Sequence, residues 1–375
     1  MISAKHKITV AIPQIPASSY VIHVQSGLLQ DIVLWLPKHY KYWVIISDEM
    51  VAECYGQLLV SRLKQCISCD DTVLLLTFPS GEKFKNTRTK KKLEEMMLSH
   101  ACSRHETLIL ALGGGITGDI AGFVAATYMR GIPYIQIPTT LLAMVDSSVG
   151  GKVGINTPQG KNLIGAFWQP LAVIADINLL KTIDKKQFVA GLIEAMKMFL
   201  THDRDSVHFL VKYLPQILLL EDVFLTELIY RAVKIKACVV NQDEKETGMR
   251  MALNFGHTIG HALEKVSLYR IGHGYAVGYG ILIEAKISEI MGVLSKQDYQ
   301  LIQETLASLG IHGKMLRKYP IKEVIASTYS DKKVRAGCAY YVLLEQLGTV
   351  YSLNNQYAHP VAEQIVTEAF IKSLL

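Results

Sequence analysis

Short apolar runs punctuate the first half of the chain at residues 20–24, 42–47, 72–78, 107–112, 134–138 and 171–176. The stretches between them carry apolar residues at helical spacing. That rhythm predicts repeated βαβ units and hence a parallel sheet flanked by helices. Beyond about Lys181 the pattern changes to long amphipathic stretches, such as residues 187–200 and 223–240, which predict a mostly α-helical second half. A chain of 375 residues exceeds the usual size of one hydrophobic core. We therefore expect an α/β domain over residues 1–178 and a helical domain over 179–375, with a ligand groove between them.

Composition narrows the class. Half the residues are hydrophobic and 19% are charged, which excludes a mostly disordered chain. The net charge of +6 is mild, and the only dense basic cluster, residues 85–92, reads as a solvated helix face, so no nucleic-acid partner is expected. The start lacks an apolar run followed by a small-residue cleavage site, so a cytoplasmic protein is expected. The most apolar long stretch, residues 108–129, is broken by five glycines, Thr117 and Asp119, which argues against a membrane span. Six scattered cysteines are read as free thiols; Cys66 and Cys69 form a CxxC, but no second pair completes a zinc ribbon.

Candidate chemistry begins at Gly113-Gly114-Gly115-Ile116-Thr117-Gly118-Asp119, between an apolar strand and a helix-compatible run. Glycines there let backbone N–H groups approach a pyrophosphate at a helix N-terminus, where the helix dipole favours an anion. A turn with only a packing role is the alternative. The usual dinucleotide fingerprint occupies the first βα turn with an acidic residue about 20 positions later. Here the turn follows the fourth apolar run, and the better ribose candidate is Asp48, upstream. In the second half, His257 and His261 stand four apart and His273 follows within Gly272-His273-Gly274. With Glu194 and Lys197 on another helix they offer enough donors for a divalent metal with an open position. Chance spacing and core packing are the alternatives, against which the flanking Gly256, Gly260, Gly272 and Gly274 weigh as marks of a crowded site.

Six ordered blocks carry a resemblance: GGGITGDIAGFVAATYMRGI from Gly113, IPTTLLAMVDSSVGGKVGINTPQGKNLIGAFWQP from Ile137, GLIEAMK from Gly191, NQDEKETGMRMALNFGHTIGHALE from Asn241, GHGYAVG from Gly272 and DKK from Asp331. Together they resemble the 3-dehydroquinate synthase family over nearly the whole chain. The resemblance implies a Rossmann-like NAD-binding α/β domain, then a helical metal- and substrate-binding domain. It moves the metal ligands to Glu194, His257 and His273, leaving His261 for the substrate phosphate. It implies NAD contacts at Asp48, Glu82, Lys85, Gly114, Gly115, Asp119, Thr139, Thr140 and Lys161. Substrate positions fall on Asp146, Lys152, Asn162, Lys197, Lys236, Arg250, Asn254, His261 and Lys332. Arg130 matches a residue that reaches a neighbouring subunit's phosphate site, which implies a homodimer. Several cations suit a substrate with both carboxylate and phosphate groups.

The implied reaction converts 3-deoxy-D-arabino-heptulosonate 7-phosphate to 3-dehydroquinate and phosphate, in the shikimate pathway of aromatic amino acid biosynthesis. It proceeds by transient oxidation with NAD, phosphate elimination, re-reduction and aldol closure, with zinc or cobalt as the metal. A cyclase for another sugar phosphate and a metal-dependent polyol dehydrogenase are the rival enzymes; a binding protein that kept the fold is the non-enzyme rival. The chain departs from the family pattern at Tyr275, where Glu is usual, at Thr182-Ile183-Asp184, where Pro is common, and at Lys186-Gln187, where Arg-Glu is common.

Overall fold

The computed structural model describes residues 19–37, 40–246, 248–329 and 339–374. Six strands, β1 (Val21–Gln25), β2 (Tyr42–Asp48), β3 (Thr72–Phe78), β4 (Thr107–Gly113), β5 (Tyr134–Pro138) and β8 (Ala172–Asp176), coincide with the apolar runs read from the sequence. They form one parallel sheet in the order β1-β8-β5-β4-β2-β3. Side chains alternate between its faces with period two. Trp43, Ile45, Leu108, Leu110 and Leu112 enter the core shared with the second half, while Val44, Ile46, Ile109 and Ala111 face the opposite layer. Burial on both faces explains why these strands read as continuous apolar runs rather than alternating ones.

On the flanks lie α1 (Glu49–Val51), which passes through a π turn into α2 (Gln57–Lys64), then α3 (Thr87–Ser99) and α4 (Gly115–Thr127). Two features escape the sequence pattern. Residues 152–167 form an antiparallel hairpin, β6 (Lys152–Thr157) with β7 (Gly160–Phe167), whose Val153 and Ile155 pack under α4. Ala143–Ser147 is a single π turn carrying Asp146. The basic cluster also differs from its reading as a solvated face: Lys85 precedes the helix and is buried, because it points inward to Asp119. Lys91 and Lys92 are exposed.

After β8 the described chain is mostly helical: α5 (Lys185–His202), α6 (Arg204–Leu218), α7 (Asp222–Gln242), α8 (His257–Val266), α9 (His273–Ile290) and α10 (Lys296–Ser308), with α11 (Ile321–Thr328) and α12 (Glu363–Ser373) beyond. Four two- or three-residue strands, β9 to β12, lie between residues 340 and 360. Asp184 caps α5 by accepting from the N–H groups of Lys186 and Gln187 at 2.7 and 3.2 Å. Helices α8 and α9 cross where Gly280 lies against the backbone carbonyl of Gly256, a contact that leaves no space for a side chain. Gly256 itself has φ of +78°, a conformation glycine adopts without steric cost. Among the described residues no helix is long and apolar enough to cross a membrane.

Candidate active site and metal centre

The order of the sheet places the glycine turn at a reversal of connectivity. From β2 the chain moves outward to β3, then crosses back so that β4 lies on the other side of β2. Ligands of open α/β sheets bind outside the carboxyl ends of strands at such a point. Asp48 ends β2 and the turn ends β4; Ser47 Oγ ties the two by donating to the Leu112 carbonyl at 2.7 Å. Asp48 accepts from Ser80 Oγ at 2.7 Å, Thr117 Oγ1 at 3.2 Å and the Val51 N–H at 3.3 Å. Gly114 is the N-cap of α4 and offers no side chain to the turn. A Cβ at Gly114 would meet Thr140 Cγ2 at 3.1 Å, and one at Gly115 would meet Ser147 Oγ at 3.0 Å. The bare helix N-terminus is thus lined by backbone, the arrangement a diphosphate requires. Thr139 Oγ1, buried beside it, has no hydrogen-bond partner among the described residues.

Asp119, on α4, takes an ion pair from Lys85, whose Nζ also donates to Asn162 Oδ1 at 2.6 Å. Burial nonetheless pushes the Asp119 carboxyl up. Glu82 accepts from Asn156 Nδ2 at 2.7 Å. Lys161 Nζ is 3.0 Å from Glu264 Oε1 and 4.6 Å from the Tyr269 ring centre.

A cavity of about 620 Å³ opens between the sheet and the helices, lined by Asp119, Asp146, Lys152, Asn162, Lys197, Lys236, Glu246, Arg250, Asn254, His257, His261 and His273 among others. Its floor is a buried charge cluster. Lys236 donates to both the carbonyl and the carboxylate of Asp146, and Lys197 Nζ stands 3.8 Å from the same carboxylate. Burial alone would raise the Asp146 carboxyl, but Lys236 and Lys197 hold it well below the usual range. Burial lowers Lys236. It also opposes the charge on Lys197, yet Glu194 and Asp146 outweigh it and raise that ammonium's pKa. Arg250 is buried and donates to the Glu244 carbonyl.

Glu194, on α5, is wholly buried, and among the described residues neither of its oxygens accepts a well-aligned hydrogen bond. Its neighbours are ionic: Lys197 Nζ is 2.7 Å from Oε2, and His273 and His257 Nε2 lie 3.6 and 3.9 Å from Oε1. Both imidazoles turn their other nitrogen to an acceptor, His257 Nδ1 to the Phe255 carbonyl at 3.2 Å and His273 Nδ1 to Glu264 Oε2 at 3.1 Å. An Nδ1 hydrogen bond of this kind leaves Nε2 as a lone pair, the form that ligates a metal. The buried carboxylate, whose Oε1 has no hydrogen-bond partner among the described residues, and the two oriented imidazoles therefore fit a divalent ion, and their donor atoms lie within 4.8 Å of one another. The centres of the His261 and His257 rings are 5.4 Å apart.

Three carboxylates went unread in the sequence. Glu246 pairs with Lys152 and accepts from Asn254 Nδ2 at 2.8 Å. Glu264 was legible as the third residue after His261 on the same helix. Glu284, fully buried on α9, accepts from the N–H groups of Gly256 and Ile259 at 2.7 and 3.2 Å and so caps the helix that begins at His257. No local signal marks it, since the helix it caps lies elsewhere in the chain. Lys332 and the rest of the DKK block fall outside the described residues. Arg130 is exposed, with φ of +68°. Tyr275 is half-buried; burial and the neighbouring Asp184 raise its hydroxyl's pKa.

Comparison with known proteins places this geometry in a family. The profile of the 3-dehydroquinate synthase N-terminal region matches residues 75–190 and that of the C-terminal region matches residues 191–334. A 3-dehydroquinate synthase from Desulforamulus reducens is 41% identical over 335 residues, covering 88% of this chain and 92% of that protein. Among solved structures, 2-deoxy-scyllo-inosose synthase complexed with carbaglucose-6-phosphate, NAD+ and Co2+ aligns with a TM-score of 0.83 at 26% identity, covering 94% of this chain and 96% of that one. The 2-epi-5-epi-valiolone synthase ValA from Streptomyces hygroscopicus, with NAD+ and Zn2+ bound, shares the fold with a TM-score of 0.85 at 23% identity, over 97% and 99% of the two chains.

Proposed function

The chain belongs to the 3-dehydroquinate synthase family, and on that premise we propose that it converts 3-deoxy-D-arabino-heptulosonate 7-phosphate to 3-dehydroquinate and inorganic phosphate, as a phosphate-eliminating carbon–oxygen lyase. The observation that carries the reading is a single cavity lined by Asp119 and Ser147, by His257 and His273 and by the cations Lys197, Lys236 and Arg250, with the glycine turn next to Ser147 and the buried Glu194 carboxylate next to the two imidazoles.

In this reading Gly114, Gly115, Thr139, Thr140, Asp48, Asp119, Glu82, Lys85 and Lys161 serve NAD. Glu194, His257 and His273 hold zinc or cobalt. When bound, NAD would take up a hydride from the substrate and later return it, and the divalent ion would acidify a substrate hydroxyl. The protein's own groups do the rest. Arg250 offers a planar fork to the carboxylate, with Lys236 as a point charge. Lys152, Asn162 and His261 serve the phosphate, and the resemblance assigns Lys332 to the same group. Asp146 and Lys197 form a preorganised pair that can pass a proton to or from a ring hydroxyl without exposing either charge to water. The division into residues 1–178 and 179–375 is supported by the parallel sheet ending with β8 at Asp176 and the mostly helical described chain after it. A homodimer and a cytoplasmic location complete the proposal; exposed Met129 and Arg130, both with positive φ, support a subunit contact at the end of α4.

The test is phosphate release by purified protein with substoichiometric NAD. Phosphate in molar excess over NAD, abolished by a chelator and restored by zinc or cobalt, is expected. Steady accumulation of NADH in step with substrate would identify a dehydrogenase instead, and release from a different sugar phosphate alone would identify a related cyclase.

A further inference from the structure

Glu264 lies on α8 three residues after His261 and seven after His257, on the face that looks into the cavity, and it is buried. Its two oxygens are used separately. Oε2 faces His273 Nδ1 at 3.1 Å, and Oε1 faces Lys161 Nζ at 3.0 Å on the β6–β7 hairpin. We propose that Glu264 is a positioning residue for the metal: it fixes the His273 imidazole with Nε2 toward Glu194, and Lys161 in turn fixes Glu264. This deepens the reading given above and rests on its assignment of His273 as a ligand.

The physical need is specific. His273 begins α9 and its side chain is 39% exposed, so packing alone does not hold the ring. Two ring flips and two tautomers are open to such a histidine, and one combination presents an Nε2 lone pair to Glu194. A carboxylate only accepts, so it selects Nδ1–H and with it the metal-facing lone pair. Glu264 could itself wander among rotamers; Lys161, whose Nζ also rests 4.6 Å over the Tyr269 ring, pins its free oxygen. Together the three side chains bridge the hairpin and both histidine-bearing helices. His273 turns Nε2 to Glu194 at 3.6 Å and Nδ1 to Glu264 at 3.1 Å, so Glu264 is the acidic partner of Nδ1 in this arrangement. A competing use exists, since His261, Glu264 and His273 also bring donor atoms within 4.8 Å of one another. An ion there would take the His273 Nδ1 that now bonds Glu264.

The experiment measures Co2+ affinity of chelator-stripped protein by competition with a chromophoric chelator, together with the number of ions bound per chain. Wild type is compared with Glu264→Ala, Glu264→Gln, Lys161→Met and Glu194→Ala, with thermal melts of each stripped protein. Loss of a group that orients a ligand costs about 10–100-fold in affinity. Glu264→Ala is expected in that range, Glu264→Gln to lose less because its amide oxygen still accepts from His273, and Lys161→Met to lose least. Wild-type affinity in Glu264→Ala, while Glu194→Ala loses the ion, would overturn the proposal and leave the metal centre standing. Retention in Glu194→Ala as well would overturn the metal centre itself. Two ions per chain, one lost on Glu264→Ala, would make Glu264 a ligand rather than a positioning group. If the alanine variant does not melt cooperatively, the isosteric glutamine variant decides: unchanged affinity and stoichiometry there, with wild-type affinity in Lys161→Met, would reject the idea.

Discussion

Two carboxylates in the two parts of the candidate site, the glycine turn and the helical cluster, live under different rules. Asp48, at the glycine turn, accepts from three donors of its own neighbourhood. Glu194, at the helical end, is wholly buried; Lys197 pairs with its Oε2, while among the described residues its Oε1 has only two imidazole nitrogens at 3.6 and 3.9 Å. The first end is built from backbone, with strand ends, a bare helix terminus and glycines, and its carboxylate is settled before any ligand arrives. The second end is built from side chains that desolvate charge and wait for more. Burying charge is costly even where it is paired, so the helical end is where stability is given up for function, and the sheet end is where the fold is held.

That difference explains what was legible. A strand, a glycine turn and a helix are contiguous, so the six strands and Gly113–Gly115 could be read from local pattern. The metal group joins residues 194, 257 and 273, drawn from three helices, and local spacing proposed the pair His257 and His261; only the resemblance moved the second ligand to His273. The π turn under Asp146 and the β6–β7 hairpin stayed hidden for a related reason. Residues 143–167 are rich in Gly, Ser, Thr and Asn, and their structure is imposed by packing under α4 and against α7 rather than by apolar rhythm. Glu264 and Glu284 act on partners in other elements, which no single-segment pattern reveals.

The contrast is broken most severely at Asp146. Asp146→Asn removes the one negative charge set directly between Lys236 and Lys197, leaving two buried ammonium groups opposed; breaking such a cluster costs about 3 kcal/mol or more. The sign with pH follows from a carboxyl held below its ordinary 3.8 in the folded protein. Its contribution is present above that value and is lost as pH falls below it. Urea denaturation of the stripped protein should show a full gap between wild type and variant at neutral pH and a shrinking one below about pH 4. A gap constant down to pH 3 would assign the stabilisation elsewhere.

A smaller effect is expected at the crossing of α8 and α9. Gly280→Ala drives a methyl into the Gly256 carbonyl, and no rotamer relieves a backbone contact. Overpacking of this kind costs about 1–3 kcal/mol. The helices separate, and with them His257 and His273, so Co2+ affinity should fall while NAD affinity stays within about twofold. Equal loss of both, measured by titration, would show that the two ends are one cooperative construction rather than two.

The least costly change tests the sheet end with the opposite sign. Gly115 opens α4, and an added Cβ would meet Ser147 Oγ at 3.0 Å, a side chain that can swing aside. Alanine in a helix is preferred over glycine by up to about 1 kcal/mol, because glycine loses more backbone freedom on folding. Gly115→Ala should therefore leave the melting temperature unchanged or raise it slightly. The same methyl stands where the backbone must approach a diphosphate, so NAD affinity should fall about tenfold, which is about 1.4 kcal/mol, with Co2+ affinity intact. A variant that is both more stable and poorer at holding NAD would mean that glycine is present there for the ligand and not for the fold. Unchanged NAD affinity would return the turn to the packing role that its sequence alone left open.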